Sequence, residues 1–85
     1  MFEYDVCGEN DSQIFNKICN IIENEYPKTV RQKLLVDVDG SMIQTYTLNG
    51  YDIDVYDDYD IGAIYMKSEV DLRDLFEKII YELKI

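Results

Sequence analysis

Residues 42–56 read MIQTYTLNGYDIDVY, two alternating polar and apolar runs that are joined by Asn49 and Gly50. An Asn-Gly pair between such runs is a strong signal for a β-hairpin closed by a two-residue turn. We therefore predict antiparallel strands over 42–48 and 51–56, and the rest of the fold is placed around this hairpin.

Three more segments have the pattern of strands. KLLVDV, at 33–38, precedes a second hairpin signal at Asp39 and Gly40, which predicts a strand beside the first hairpin. AIYMK, at 63–67, follows the loop DDYDIG and predicts the fourth strand of a meander. FEYDVC, at 2–7, alternates well enough to be a short strand ahead of the meander.

Two amphipathic helices flank the meander. Asn10, with Gln13 three residues later, fits a capping box, and Pro27 ends a run of isoleucines at helical spacing, which predicts a helix over 11–26. A second helix is predicted over 69–84, with Ser68 and Asp71 at its start and apolar residues at steps of three and four.

The order β-α-β-β-β-β-α predicts an α+β fold, with both helices on one face of an antiparallel sheet of four to five strands. All 85 residues form one small domain in this interpretation. The predicted core joins one face of each helix to the inward face of the sheet. Its members are Ile14, Ile18, Ile21, Leu34, Val36, Val38, Ile53, Val55, Leu72, Leu75, Phe76, Ile79 and Ile80.

The other face of the sheet is predicted to be open and acidic. Side chains alternate along a strand, so Asp52, Asp54 and Tyr56 point away from Ile53 and Val55. Leu35, Asp37 and Asp39 are predicted to lie on the same outer side, and Tyr46 and Tyr65 are further candidates for this face. The predicted partner-binding residues are Asp37, Asp39, Asp52, Asp54, Tyr56, Asp57, Asp58 and Asp60.

The charge of the chain limits its partners. The net charge is −10, and between Lys33 and Lys67 there is no Lys or Arg. Nucleic acid and anionic membranes carry the same sign, so neither is an expected partner, and a basic protein is favoured. No apolar run approaches the length of a membrane span and the N-terminus has no basic or apolar signal region, so a cytoplasmic location is expected.

The sequence contains no recognisable metal, cofactor or catalytic site. DVDGS and DDYDIG depart from the spacing of calcium loops, and the absence of His makes zinc a poor fit. There is no nucleophile elbow and no glycine-rich phosphate loop, and Cys7 has no His or neighbouring base to activate it. We expect a protein that is not an enzyme and that has no metal and no cofactor.

In size, acidity and lack of catalytic groups the chain resembles the DNA-mimic inhibitors of phages and mobile elements, including anti-CRISPR and anti-restriction proteins. That resemblance, which rests on composition, implies an inhibitor that blocks the basic nucleic-acid-binding site of a partner. Two alternatives stay open. One is an immunity protein that neutralises a basic nuclease toxin. The other is a structural or regulatory interaction module whose acidity only gives solubility. The protein itself is expected to be a monomer or a weak homodimer.

Overall fold

The computed structural model describes residues 1–83 and confirms the α+β fold and the order of its elements. The elements are β1 Phe2–Cys7, α1 Ser12–Glu25, β2 Val30–Arg31, β3 Leu35–Val36, β4 Met42–Leu48, β5 Tyr51–Asp58, β6 Ala63–Ser68 and α2 Arg73–Leu83. The strand pairs of these residues are all antiparallel, in the order β1-β6-β5-β4-β2, and β3 also pairs with β4.

The central hairpin forms as predicted. Leu48 pairs with Tyr51, which leaves Asn49 and Gly50 as a two-residue turn. Both turn residues have positive φ, 53° and 83°, as the twist of a tight hairpin requires. The hairpin fixes the register of β4 against β5 and therefore decides which side chains share a face.

The predicted strand at 33–38 is wrong in length and in burial. Within that segment only Leu35–Val36 forms a strand, β3. A second two-residue strand, β2, precedes it at Val30–Arg31, and both lie on the outer side of β4. Leu34, Val36 and Val38 are exposed by 36%, 64% and 103%. Alternation assigns a side chain to a face, but burial also needs a helix over that face, and the helices do not cover these residues.

Both helices begin later than predicted. Asp11, not Asn10, is the N-cap of α1, and its Oδ1 accepts hydrogen bonds from the amides of Gln13 and Ile14. The second helix begins at Arg73, whose amide donates to Asp71 Oδ1. The predicted last residue of that helix, Lys84, lies outside the described residues.

The core lies between the helices and the sheet, and most of its predicted members are buried. Phe76 is only partly buried and Ile80 is 37% exposed. The buried face of the second helix is therefore narrower than its apolar face. Ile14 is also only partly buried. The buried apolar residues are Val6, Phe15, Ile18, Cys19, Ile21, Ile22, Tyr46, Ile53, Val55, Ile64, Met66, Leu72, Leu75 and Ile79.

A polar network attaches β2 to the first helix. Arg31 donates to the buried Gln44 and forms an ion pair of 3.2 Å with Glu23. Tyr46 was a candidate for the open face, but its side chain is fully buried and its hydroxyl donates to Glu23. The pKa of Tyr46 is strongly raised, first by burial of its hydroxyl and second by the hydrogen bond to Glu23. The network lets polar groups lie inside the helix-covered face without losing their hydrogen bonds.

Neither helix, within residues 1–83, has the length and apolar character needed to cross a membrane.

Candidate partner-binding face

The open face is the side of the sheet opposite the helices, and its centre is a row of side chains that crosses five strands. Strand pairing aligns these side chains, because directly paired residues point to the same face. Along the row lie Asp5, Tyr65, Tyr56, Ile43 and Leu35. The middle of the face is thus aromatic and aliphatic, and acids lie around it.

The next row contains a lysine. Glu3 pairs with Lys67, Lys67 with Asp54, and Asp54 with Thr45. Lys67 Nζ lies 3.5 Å from Glu3 Oε1, and 5.5 Å and 5.9 Å from the ring centroids of Tyr56 and Tyr65. The open face is therefore acidic around its edges, with one cation held over its aromatic centre.

Tyr56 and Tyr65 form a stacked pair on neighbouring strands. Their ring centroids are 4.7 Å apart and the rings are inclined by 12°. Tyr56 was predicted for this face and Tyr65 was a further candidate, and both lie there. Burial, followed by the carboxylate of Asp54, raises the pKa of Tyr56. Each ring covers one face of the other and both side chains are half-buried, so the pair offers a partner only the part of its surface that the stack leaves exposed.

Asp58 fastens the end of β5 to the stacked pair. Its Oδ2 accepts a hydrogen bond of 2.8 Å from the Tyr65 hydroxyl, and its Oδ1 accepts from the amides of Asp60 and Ile61. The bond from Tyr65 holds the pKa of Asp58 below its usual value. Burial, with the bond to Asp58 second, raises the pKa of Tyr65 to about 12. Asp58 therefore shapes the loop as well as contributing charge.

Asp52 and Asp54 lie on the open face as predicted. Asp54 Oδ1 accepts from the Thr45 hydroxyl at 2.7 Å, and Asp52 Oδ1 accepts from the Thr47 hydroxyl at 3.2 Å. Asp52 is exposed and Asp54 is half-buried. The two threonines fix the carboxylates along β5 at a two-residue repeat, roughly 7 Å.

Asp57 does not belong to the face, although it was predicted to bind the partner. It follows the alternation of Ile53 and Val55 and is fully buried on the inward side. Its Oδ1 accepts a hydrogen bond of 2.7 Å from Asn10, and its Oδ2 has no hydrogen-bond partner within residues 1–83. The side chains of the consecutive acids Asp57 and Asp58 thus lie on opposite faces of the sheet.

An acidic cavity of about 170 Å³ lies at one end of the open face, between the β3–β4 turn and the β5–β6 loop. Tyr59 connects the two loops. Its amide donates a hydrogen bond to Ser41 Oγ, and its ring packs beside Gly40, 3.7 Å from where a Cβ would lie if that residue had one. Five of the predicted residues line this cavity together with Ser41, Met42 and Ile43. They are Asp37, Asp39, Tyr56, Asp58 and Asp60.

A second cavity, of about 290 Å³, lies beside Tyr65 and contains residues that the sequence interpretation missed. Glu3 and Asp5 alternate with Tyr4 and Val6, so the strand pattern of 2–7 already placed them together on one face. The pairing of β1 with β6, which brings them beside Tyr65 and Lys67, was not visible in the sequence.

Among residues 1–83 no three His, Cys, Asp or Glu side chains are grouped as metal ligands. Comparison with protein-family models, with curated proteins and with solved structures found no match to this chain.

Proposed function

We propose that this chain is a non-catalytic acidic inhibitor that binds the basic nucleic-acid-binding site of a partner protein. The observation that carries the proposal is the arrangement of the open face. Carboxylates surround the Tyr56–Tyr65 stack on a sheet surface that the helices leave uncovered. An electrostatic complement to a phosphate-binding groove needs this combination of spaced negative charge and flat contact area.

The distribution of charge supports a protein partner of this kind. Acidic groups come from β1, β5 and both loops at the end of the sheet, whereas Lys67 is held between Glu3 and the two rings. Lysines and arginines of a partner would meet carboxylates over most of this surface. The part of the tyrosine pair that stays exposed adds aromatic contact area beside these carboxylates.

The same chemistry fits two kinds of basic partner. A defence protein that binds DNA or RNA and a nuclease toxin with a basic active site both present a groove that attracts phosphates. In either case the inhibitor competes with the nucleic acid, and its binding weakens as salt screens the charges.

Affinity capture with matched charge variants tests the proposal. The test variant combines Asp39→Asn, Asp54→Asn and Asp60→Asn, since an amide keeps one acceptor oxygen and removes the charge. The control combines Asp74→Asn, Glu77→Gln and Glu82→Gln on α2, an equal loss of charge away from the open face.

The wild type and the helix control should retain the same basic proteins from the source cell at low salt and release them at high salt. The open-face variant should retain much less. If the open-face variant retains them and the helix control does not, the proposed face is wrong. If neither variant loses the captured proteins, the acidity serves solubility alone.

A further inference from the structure

The outer edge of the sheet beside β4 exposes apolar side chains. Leu35 and Val36 of β3 are exposed by 56% and 64%, and Val38 in the following turn is fully exposed. Edge strands usually carry charge or proline, which discourages the addition of another strand. An exposed aliphatic edge is therefore a place where an extended segment can add.

The backbone of β3 has hydrogen-bonding groups free for such a segment. The amide of Asp37 donates to Ser41 O at 2.8 Å, so it points toward β4. Residues alternate along an antiparallel ladder, which directs the amide and carbonyl of Val36 to the outer side. Within residues 1–83, β3 pairs only with β4.

Two adjoining cavities give this edge a defined chemistry. A cavity of about 260 Å³ is lined by Leu35, Val36, Asp37, Ser41 and Ile43. It shares Asp37, Ser41 and Ile43 with the acidic cavity described above. An apolar site and an anionic site therefore lie side by side where the central row of the open face reaches the edge.

We propose that an extended basic segment of a partner protein adds as a strand beside β3. A side chain that extends the central row would pack on Leu35, so an aliphatic residue is favoured there. The side chain two residues away on the same face would reach Asp37 and the acidic cavity, so Lys or Arg is favoured there. A second copy of this chain is a poorer occupant, because each copy carries a net charge of −10.

The inference rests on the proposed function for the basic character of the partner, but its test uses a peptide and no partner protein. The probe is the capped heptapeptide Thr-Val-Thr-Arg-Thr-Arg-Thr, which places valine and both arginines on one face of a strand. The control is the isomer Thr-Val-Arg-Thr-Arg-Thr-Thr, with the same composition but with the arginines on the opposite face from valine.

Titration of the isotopically labelled protein, followed by NMR, should show the probe shifting the amide resonances of residues 35–37. The isomer should bind about tenfold more weakly, since it cannot reach both sites from one face. Val36→Pro removes the outward amide without removing a bond to β4, and it should weaken probe binding by about tenfold or more. Leu35→Thr introduces a β-branched residue that suits a strand and removes most of the apolar contact, so it should also weaken binding. This variant replaces the proline variant as the test if the latter does not fold.

Equal binding of the two peptides, or unchanged binding to a folded Val36→Pro or Leu35→Thr variant, would overturn strand addition. Shifts of the same amides with protein concentration alone, together with a dimer in sedimentation, would overturn it in favour of a second copy. The two proposals fail separately. Probe binding without displacement of nucleic acid removes the proposed function, and displacement without edge binding removes only this inference.

Discussion

Asn10 Nδ2 donates to Asp57 Oδ1 at 2.7 Å and to the carbonyl of Asp58 at 3.0 Å, so the β1–α1 loop is tied to the end of β5. Asp57 is fully buried. Within residues 1–83 its Oδ2 has no hydrogen-bond partner, so its carboxyl group is bound through Oδ1 to Asn10. The residue predicted to cap the first helix instead supports the strand that carries the acidic face. Asp11 takes over the cap one position later.

Asn10→Ala should destabilise the protein by about 2 kcal/mol, because a buried carboxyl group would lose its partner. Urea unfolding followed by circular dichroism measures the change. The double variant Asn10→Ala with Asp57→Val should recover much of the loss, since both members of the pair become apolar. Asn16→Ala, on the exposed side of α1, should change stability by less than about 0.5 kcal/mol. A loss that small for Asn10→Ala would show that the bond is not important.

Core substitutions on α2 should follow the observed burial. Ile79 is fully buried, Phe76 is partly buried against Tyr4 at a centroid distance of 5.2 Å, and Ile80 is 37% exposed. Ile79→Ala should cost about 3 kcal/mol and Ile80→Ala about 1 kcal/mol or less, with Phe76→Ala between them. The free energy of unfolding in urea gives the order. A larger loss for Ile80→Ala than for Ile79→Ala would place the wrong face of the helix in the core.

Stability at high pH should depend on Tyr65. Its pKa is raised to about 12 in the folded protein, mainly by burial and then by the bond to Asp58. A raised pKa contributes stability below the unfolded value, near 10, that is lost as pH rises toward 12. The Tyr65→Phe variant should therefore lose less stability than the wild type between about pH 10 and pH 12.

The same variant has a second consequence at low pH. Without the hydroxyl donor, the pKa of Asp58 should rise toward its ordinary value, which NMR titration of the carboxyl carbon can follow. Lowering the pKa of an acid contributes stability above its unfolded pKa that is lost as pH falls through the folded pKa. An unchanged Asp58 titration in Tyr65→Phe would contradict the hydrogen bond.

Local signals predicted the central hairpin and the fold class. Asn49 and Gly50 allow the positive φ that their turn needs, and alternation placed Asp52, Asp54 and Tyr56 on one face. The same alternation, carried one residue further, would have placed Asp57 inward. The partner that permits its burial, Asn10, comes from a distant part of the chain and is not visible in the pattern of β5.

Strand order was the part of the fold that local pattern could not supply. Glu3 joins the face only because β1 pairs with β6, and Lys67 lies over the tyrosines only because β6 lies beside β5. The burial of Val36 was predicted from alternation along the strand, yet the helices do not cover this residue. Contacts between distant segments decide these outcomes, and they are not encoded in the period of any single strand.

The central claim is that the open face competes with nucleic acid for a basic site. The most direct measurement is the fluorescence anisotropy of a short labelled DNA duplex that is bound to the protein retained by affinity capture. Added at a concentration equal to that of the captured protein, the wild type should displace the duplex from it. The variant with Asp39, Asp54 and Asp60 changed to Asn should need a concentration at least roughly tenfold higher for the same displacement. A duplex that stays bound while this protein also binds, or equal displacement by the wild type and the amide variant, would contradict the claim.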